Sequence, residues 1–522
     1  MIRPTITVLS GAGLLLLAGL GHANLINAVS GSFADVSSAV ASASPGDTVV
    51  IPAGQNTWTQ TLNLSGITLQ GAGTNLTVIV DETPITGYGA PIFNVTTAPT
   101  MTRITQLTIT VGVTNTYPTV SMQAGNASAG VRGNINIFGN YPFRIDHCVF
   151  HYLTGKPVNI TGQANGLIDH CVFEMFAGAN AIEVDGGVGS DNGWGDYSWS
   201  TPYVFGSSNA MFIEDNYISS VFKFTAIDSD NGARVVIRHN FFQSSFVYTH
   251  GTESGQRTRS VRALEAYNNI FNYSTVFDNC SQAIAIRGGT AVIFNNCATN
   301  FYSLAALQDY RSTDNSPAFT PWFGATGLSG YDSNSPALLS GVASATSTTL
   351  VISNANWAVN QFYGCTVYNS NNNLSGIVTT NNANTMWFLT SASPWYQIHF
   401  AAGDTFVVHL VYPQLDQPGR GYGTLLTGAT PNPIWANQTL EPIYFWSNSL
   451  DYNFQPTASG GLGYSLYPNI ANGRDFTNAV KAGYSPFIYP HPLNVDTSSS
   501  TNNTAAIKPP PPSSLSTHTP GH

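Results

Sequence analysis

The chain has 522 residues and a net charge of −10 at pH 7, with only 8% charged and 12% aromatic residues. A nucleic-acid-binding protein needs a basic face, so this charge excludes nucleic acid as the expected partner. Three or four ordinary domains would fit this length, but a repeat protein grows by adding coils and needs no such division. Composition therefore leaves one long repetitive domain as an open possibility.

The N-terminus has the features of a secretion signal. Arg3 precedes an apolar run at residues 11–20, and small residues precede a cleavage point before Asn24. The run is too short to cross a bilayer, and no second run of about 20 apolar residues follows. We therefore predict a signal peptide at 1–23, a secreted or cell-surface product and no membrane span, with an uncleaved anchor as the alternative.

A short amphipathic helix is predicted over residues 33–43. Strand-like segments separated by Gly-, Asn- and Thr-rich turns begin directly after it. A stack of β-coils exposes the edge of its first coil, and a helix at that end covers it. We expect this helix to cap the N-terminal end of such a stack.

One short phrase recurs in the middle of the chain. Its copies are Arg-Ile-Asp-His-Cys-Val-Phe (144–150), Leu-Ile-Asp-His-Cys-Val-Phe (167–173), Ile-Glu-Asp-Asn-Tyr-Ile (213–218), Ile-Arg-His-Asn-Phe-Phe (237–242), Ala-Tyr-Asn-Asn-Ile-Phe (266–271) and Ile-Phe-Asn-Asn-Cys (293–297). The shared register holds Cys148, Cys171, Asn216, Asn240, Asn269 and Asn296. Repetition of phrases too short for helices indicates a β-solenoid. We therefore predict turn and ladder roles for these polar residues, and buried thiols for the two cysteines.

Two regions depart from this pattern. Residues 335–410 lack the phrase and alternate short strands with turn residues, which predicts a small inserted β-domain. Residues 496–522 are rich in Ser, Thr and Pro and predict a disordered tail. The predicted domains are a signal peptide (1–23), a β-helix (24–334), the inserted β-domain (335–410), the rest of the β-helix with its C-terminal closure (411–495) and the tail (496–522).

Residues 35–54 and 66–73 and the Ile-Asp-His-Cys phrases resemble the pectate-lyase-like superfamily of right-handed parallel β-helices. Further segments are similar to secreted bacterial right-handed β-helix repeat proteins, namely residues 250–269, 321–324, 415–421, 440–448 and 474–493. The likeness covers roughly 24–330 and 411–493. It implies an all-β fold, a right-handed parallel β-helix with an N-terminal capping helix and a small inserted β-domain. One fold hosts many activities, so it implies little about function.

Charged side chains concentrate between Asp228 and Arg287. Six of the 17 Lys and Arg residues lie there (Arg234, Arg238, Arg257, Arg259, Arg262 and Arg287), with the acids and histidines Asp228, Asp230, His239, His250, Glu253 and Glu265. Such clustering in a weakly charged chain marks a candidate site. Strand alternation and a coil spacing of about 4.8 Å predict one lateral groove holding Asp228, Asp230, Arg238, His250, Arg259 and Arg262. Solubilising ladders of Arg and Glu are the alternative.

These residue types fit β-elimination from a uronate, in which a cation neutralises the carboxylate and a base removes the C5 proton. His250 is the favoured base, because an Arg base needs a strongly lowered pKa. The resemblance implies that an Arg can serve, which adds Arg238, Arg259 and Arg262 as catalytic candidates. The predicted substrate-binding residues are Arg234, Arg257, Glu265 and Arg287. Asp228 and Asp230 are predicted to hold Ca²⁺ as a candidate cofactor.

Two other functions stay open. A glycoside hydrolase needs an acid and a carboxylate across the scissile bond. Asp228 and Asp230, followed one coil later by His250, resemble a polygalacturonase arrangement, although Thr249 stands where that family has Gly. A non-catalytic glycan-binding or adhesion protein would also explain the low charge. We expect a carbohydrate-active protein, foremost a polysaccharide lyase on an acidic glycan, with a polysaccharide partner and a monomeric chain.

Overall fold

The computed structural model describes most of the chain between residues 23 and 494. The described residues are 23–84, 91–111, 134–154, 156–163, 165–177, 180–186, 198–199, 201–251, 259–273, 280–308, 337–363, 365–389, 397–409, 416–422, 438–451, 464–465, 470 and 472–494. The predicted signal peptide and tail therefore lie outside the described residues, apart from residue 23. No helix in the described part of the chain is long and apolar enough to cross a membrane.

A helix covers the N-terminal end of the fold, as predicted. Helix α1 spans Phe33–Ser42, and the Ser32 hydroxyl caps it by accepting a hydrogen bond of 3.2 Å from the Asp35 amide. Its inward residues are buried, and the Phe33 ring meets the Trp58 ring edge-on at 5.5 Å. The apolar spacing that predicted the helix therefore also supplies the surface that closes the first coil.

The described strands fall into a solenoid and a separate antiparallel sheet. In chain order they are β1 (Leu25–Asn27), β2 (Thr48–Ile51), β3 (Gly54–Trp58), β4 (Leu62–Leu64), β5 (Thr68–Gly71), β6 (Thr77–Asp81), β7 (Phe93–Thr96), β8 (Thr102–Thr105), β9 (Thr108–Val111), β10 (Ile135–Phe138), β11 (Phe143–Asp146), β12 (Val149–Thr154), β13 (Val158–Thr161), β14 (Gly166–Asp169), β15 (Val172–Ala177), β16 (Asn180–Asp185), β17 (Met211–Glu214), β18 (Tyr217–Asp230), β19 (Arg234–Arg238), β20 (Phe241–Thr249), β21 (Ala263–Tyr267), β22 (Ile270–Asn272), β23 (Cys280–Ile286), β24 (Thr290–Phe294), β25 (Cys297–Thr299), β26 (Phe301–Leu307), β27 (Ala337–Val342), β28 (Leu350–Val351), β29 (Thr366–Asn369), β30 (Leu374–Asn381), β31 (Thr385–Phe388), β32 (Thr405–His409), β33 (Arg420–Tyr422), β34 (Gln438–Leu440), β35 (Ile443–Trp446), β36 (Ser449–Asp451), β37 (Tyr464–Ser465) and β38 (Phe476–Thr477).

Three parallel ladders form the walls of the solenoid. The first ladder runs β1-β2-β5-β8-β11-β14-β17-β19-β21-β24-β35-β38. The second runs β3-β6-β9-β12-β15-β18-β20-β22-β25-β36. The third runs β4-β7-β10-β13-β16-β18-β20-β23-β26-β37, because the long strands β18 and β20 bend from the second wall into the third. This confirms the predicted right-handed parallel β-helix.

The repeated phrase forms an internal asparagine ladder at the corner between the first and second walls. The backbone N–H and side-chain amide of Asn216 both donate to Oδ1 of Asn240 at 3.0 Å. The same paired contact continues from Asn240 to Asn269, from Asn269 to Asn296 and from Asn296 to Asn448. The free, buried thiols of Cys148 and Cys171 take this position in two earlier coils, as predicted.

The residue before each ladder position turns the corner with a left-handed backbone. Its φ lies between 50° and 58° at His147, His170, Asp215, His239, Asn268, Asn295 and Ser447. Short polar side chains adopt this conformation more readily than β-branched ones. His147 and His170 also place Nδ1 2.8 Å from the carboxylates of Asp146 and Asp169, and their rings stack at 5.0 Å. The Asp-His pairs of the phrase thus have a structural role at the turn between the first and second walls.

The predicted inserted β-domain is confirmed as an antiparallel sheet. Its order is β27-β32-β29-β30-β31-β28, and all of these strands lie between Ala337 and His409. It has its own apolar cluster, which includes Val367, Met386 and Phe406. After the insertion the solenoid resumes, since β35 pairs directly with β24. The predicted boundaries at 335 and 410 lie outside the described residues.

Candidate active site

The outer face of the first ladder carries Arg238, and it is covered by the C-terminal segment. Arg238 Nε lies 2.6 Å from Glu214, and both side chains are 0% exposed. Nη1 donates to the Tyr267 hydroxyl at 2.9 Å and to the Phe487 carbonyl at 2.7 Å, while Nη2 donates to the Ile488 carbonyl at 2.9 Å. This guanidinium joins the C-terminal segment to the solenoid wall.

Glu265 lies on the same covered face. Its carboxylate accepts hydrogen bonds from the Tyr203 and Tyr484 hydroxyls, both at 2.7 Å, and from the Gly206 amide at 2.8 Å. Burial raises the pKa of Glu265 above its ordinary value, and these three donors oppose that rise. Glu265, which was predicted to bind substrate, thus joins two peripheral segments to the wall.

Arg234 shares this outward face with Arg238, as strand alternation predicts. Its Nε donates to the Ser198 hydroxyl and its Nη2 to the Thr201 hydroxyl, both at 2.8 Å. The residue is 3% exposed. Arg234 therefore binds Ser198 and Thr201 and is not available to a substrate.

Arg259 and Arg262 lie at the corner between the third and first walls. Arg259 forms a two-pronged pair with Asp416 at 2.8 and 2.7 Å, and Arg262 lies 2.9 Å from Glu441. Both guanidinium groups stand over the Trp199 ring, at 4.9 and 5.3 Å. A segment more than 150 residues later covers and pairs Arg259, so this guanidinium is not available to a substrate.

The predicted single groove is therefore wrong for three of its members. Arg238 lies on the first wall, while Arg259 and Arg262 are buried at the corner. What the structure does bring together, on the outer face of the third wall, is Asp228 and His250. Arg257 and Glu253 lie outside the described residues.

His250 and Asp228 form the centre of the candidate site. The Nδ1 atom of His250 lies 2.6 Å from Oδ1 of Asp228 on the neighbouring coil. The histidine side chain is 18% exposed and the carboxylate 6%. A proton on Nδ1 that is shared with this carboxylate leaves the lone pair on Nε2, which can act as a base.

A second carboxylate lies beside Asp228. Strand register pairs Glu183 with Asp228, so both side chains point outward from adjacent coils. The Asn180 amide bridges them, donating to Glu183 at 3.0 Å and to Asp228 at 3.4 Å. Lys156 forms an ion pair with Glu183. The acidic centre is thus bordered by one cation on its N-terminal side.

Tyr248 and Arg287 extend the site towards the C-terminal coils. The Tyr248 and His250 rings are 6.0 Å apart and nearly parallel, at 17°. The Arg287 guanidinium lies 4.5 Å from the Tyr248 ring centroid, and its Nε donates to Gln308 at 3.3 Å. Arg287 is half-buried. A cation, a phenol and an imidazole therefore stand side by side.

The predicted calcium site does not fit the donors present. Asp230 is in register with Asp185, and Asp228 is engaged by His250 and Asn180. Within the described ranges, no group of three His, Cys, Asp or Glu residues is placed to hold a metal ion. Calcium takes about six to eight oxygen ligands. No step below relies on a metal.

Sequence reasoning missed Lys156, Asn180, Glu183 and Tyr248. A signal for Glu183 was present, because Ala-Ile-Glu-Val-Asp (181–185) and Ala-Ile-Asp-Ser-Asp (226–230) are 45 residues apart. That gap equals the gap from Cys171 to Asn216 in the ladder register. Tyr248 precedes His250 by two residues at the end of β20, and the two rings lie nearly parallel on one face.

No protein-family model matches the chain, and no curated protein matches its sequence. Among solved structures it is similar to ORF18 of Geobacillus virus E2, at 14% identity over 54% of each chain and a TM-score of 0.34. It is also similar to DFA-IIIase from Arthrobacter chlorophenolicus, at 14% identity, 52% of this chain, 72% of that chain and a TM-score of 0.33. An alginate lyase from Paenibacillus sp. matches at 15% identity, 54% and 80% coverage and a TM-score of 0.25.

The chain spans about half the length of the viral protein. Similarity at this level bears on neither activity nor substrate.

Proposed function

We propose that the chain is a secreted carbohydrate-active enzyme, a polysaccharide lyase that cleaves an acidic glycan by β-elimination on the third wall. One observation carries this proposal. His250 is held through Nδ1 by Asp228 at 2.6 Å, on an outward face that also bears Arg287. Uronate elimination requires a base and a cation that neutralises the carboxylate, and an oriented imidazole and a guanidinium can supply them.

The residues divide the work between them. Asp228 holds Nδ1 of the imidazole at 2.6 Å and so orients the ring, and Nε2 takes the C5 proton of the uronate. Arg287 neutralises the substrate carboxylate, which makes that proton more acidic. Arg238, Arg259 and Arg262 have no part in this chemistry, because each is buried against a carboxylate. The apolar segment at residues 11–20 supports secretion.

Hydrolysis is the second candidate, and a specific contact favours it. Glu183 and Asp228 are outward on adjacent coils and share the Asn180 amide. Strands about 4.8 Å apart place two such carboxyl groups near the separation of about 5–5.5 Å that retaining glycosidases use. Because Asp228 contacts His250, this carboxylate is better suited to orienting the imidazole than to acting as a nucleophile. Lyase activity therefore ranks first.

The test is a panel of uronans assayed by the absorbance of the unsaturated uronate. We expect absorbing products from at least one member, their loss in His250→Gln, and their retention in His147→Gln. The control is matched, since His147 also contacts a carboxylate through Nδ1, at 2.8 Å, but at a structural corner. New reducing ends without absorbance would replace the lyase with a hydrolase. Glycan binding without any turnover would contradict both.

A further inference from the structure

Tyr248 lies on β20, and His250 directly follows the last residue of that strand, Thr249, with its side chain on the same side. The residues that alternate with them, Val247 and Thr249, are both 0% exposed and point inwards. The two outward rings are 6.0 Å apart at 17°. Asp228 is in register with Tyr248, so the phenol and the His250–Asp228 pair occupy one small area of the wall.

We propose that Tyr248 is the general acid of the elimination, and that its placement beside His250 restricts the enzyme to syn elimination. The enzyme should then cleave uronans of the gluco or manno configuration in preference to galacturonans and guluronans. This inference rests on the proposed function and adds the stereochemical class of the substrate.

Two proton transfers accompany the proposed elimination. His250 Nε2 takes the C5 proton, and the electron pair of the C5–H bond forms the C4=C5 double bond. The C4–O4 bond breaks, and the leaving O4 receives the proton of the Tyr248 hydroxyl. The imidazolium then returns a proton to the phenolate, so that both groups regain their starting states. No water is consumed, and one product carries the unsaturated uronate.

The stereochemistry follows from where the two groups lie. In glucuronate and mannuronate residues O4 is equatorial, so the C5 proton and O4 can be reached from one side of the ring. In galacturonate and guluronate residues both bonds are axial and point to opposite sides. A base and an acid two residues apart on one face of a parallel wall reach a sugar from one side only.

The neighbours of Tyr248 suit an acid. The Arg287 guanidinium, 4.5 Å from the ring centroid, is attracted to the ring and places a positive charge beside the phenol. The Gln282 amide donates towards the hydroxyl oxygen at 3.5 Å and so leaves the phenolic proton for the substrate. Arg287 therefore serves both the substrate carboxylate and the acid.

The experiment compares wild type, Tyr248→Phe, His250→Gln and the control Tyr217→Phe. Tyr217 is a half-buried tyrosine on the outward face of the second wall, stacked on Phe241 at 5.5 Å. Each protein is incubated in D₂O with polyglucuronate, polymannuronate, polygalacturonate and polyguluronate. Unsaturated product is followed by absorbance, deuterium at C5 of recovered substrate by mass spectrometry, and folding by the unfolding transition.

We expect cleavage of a gluco- or manno-configured member by wild type and by Tyr217→Phe. Tyr248→Phe should lose product formation about 100-fold or more while still exchanging the C5 proton, and His250→Gln should lose both. Elimination that survives in Tyr248→Phe would overturn the acid. Cleavage of galacturonan or guluronan alone would keep the lyase and overturn the syn assignment. A wild type that cleaves no uronan would remove the proposed function and this inference with it.

Discussion

The first and third walls both display charged side chains outward, but the first wall is covered around Arg238, whereas the third wall is partly open around His250. On the first wall Arg238 and Glu214 are 0% exposed and lie under the chain around Phe487. On the third wall His250 keeps 18% of its side chain exposed. The number of charged residues on a wall therefore does not identify the site. Whether another segment covers those residues decides if they can bind a ligand.

The first wall, here called the covered wall because the C-terminal segment packs over it at Arg238, also shows how burial changes the pKa of an acid. Loss of solvent raises the pKa of Glu214, and Arg238 opposes that rise. Removal of one partner of such a buried pair is destabilising, because it leaves the other partner buried and unpaired. The two walls should therefore respond differently to the same kind of substitution.

The largest difference is expected in activity. His250→Gln should lower kcat about 100- to 10,000-fold, because a positioned base supplies that range. His147→Gln should leave kcat unchanged, although its imidazole also contacts a carboxylate. Steady-state rates on the best uronan of the panel measure both. Equal losses in the two variants would remove the distinction between corner and site.

The next largest effect is on stability. Arg238→Met should lower the free energy of unfolding by about 3–5 kcal/mol, because it leaves Glu214 buried and unpaired. Chemical denaturation measures this change. The double variant Arg238→Met with Glu214→Gln should recover part of the loss. A single-variant loss of less than about 1 kcal/mol would mean that the covered wall is not held by this pair.

The covered wall should also be sensitive to acid. Burial and the nearby Arg238 lower the pKa of His491 to about 4, from 6.5 as the ordinary value. A lowered histidine pKa means that the unfolded chain binds the proton first, so this contribution is complete above about pH 6.5 and is lost as the pH falls towards 4. We expect a loss of about 1–3 kcal/mol across this window.

His491→Gln is the variant that isolates this term. Its unfolding free energy should depend less steeply on pH between 7 and 4.5 than that of the wild type. Parallel curves for wild type and His491→Gln would assign the acid sensitivity to other groups.

The smallest stability effect is expected on the open wall. Arg287→Gln should change the free energy of unfolding by less than about 1 kcal/mol, because the side chain is only half-buried. Its kcat/KM for a uronan should fall about tenfold, equivalent to about 1.4 kcal/mol, because Arg287 both binds the substrate carboxylate and acidifies the C5 proton. Denaturation and kinetics on the same sample separate the two. A loss of stability as large as that of Arg238→Met would make Arg287 a structural residue.

Local repetition made the scaffold predictable. Each coil contains its own copy of the phrase that carries the ladder residue, so Asn216 and Asn240 could be aligned without knowledge of any distant contact. The structure extends the ladder to Asn448, beyond the inserted domain, where the neighbouring sequence had diverged. His250 and Asp228 were predicted together because they are one coil apart.

Distant contacts made the covered wall unpredictable. Asp416 pairs with Arg259 across 157 residues, and the Phe487 carbonyl meets Arg238 across 249. Strand alternation gives the side of a strand on which a side chain lies, but not which later segment packs over it. Glu183 was missed for a different reason, since its phrase repeats only once and was overlooked beside the stronger asparagine register.

Protection of histidines by a bound glycan tests most directly whether the third wall is the site. Diethyl pyrocarbonate modifies accessible imidazoles, and peptide mass spectrometry reports each one. His147, His170 and His250 have side chains 38%, 27% and 18% exposed. With a saturating uronan of the panel, we predict slower modification of His250 and unchanged modification of His147 and His170. Protection of the two corner histidines, or of none of the three with every uronan tested, would contradict the assignment.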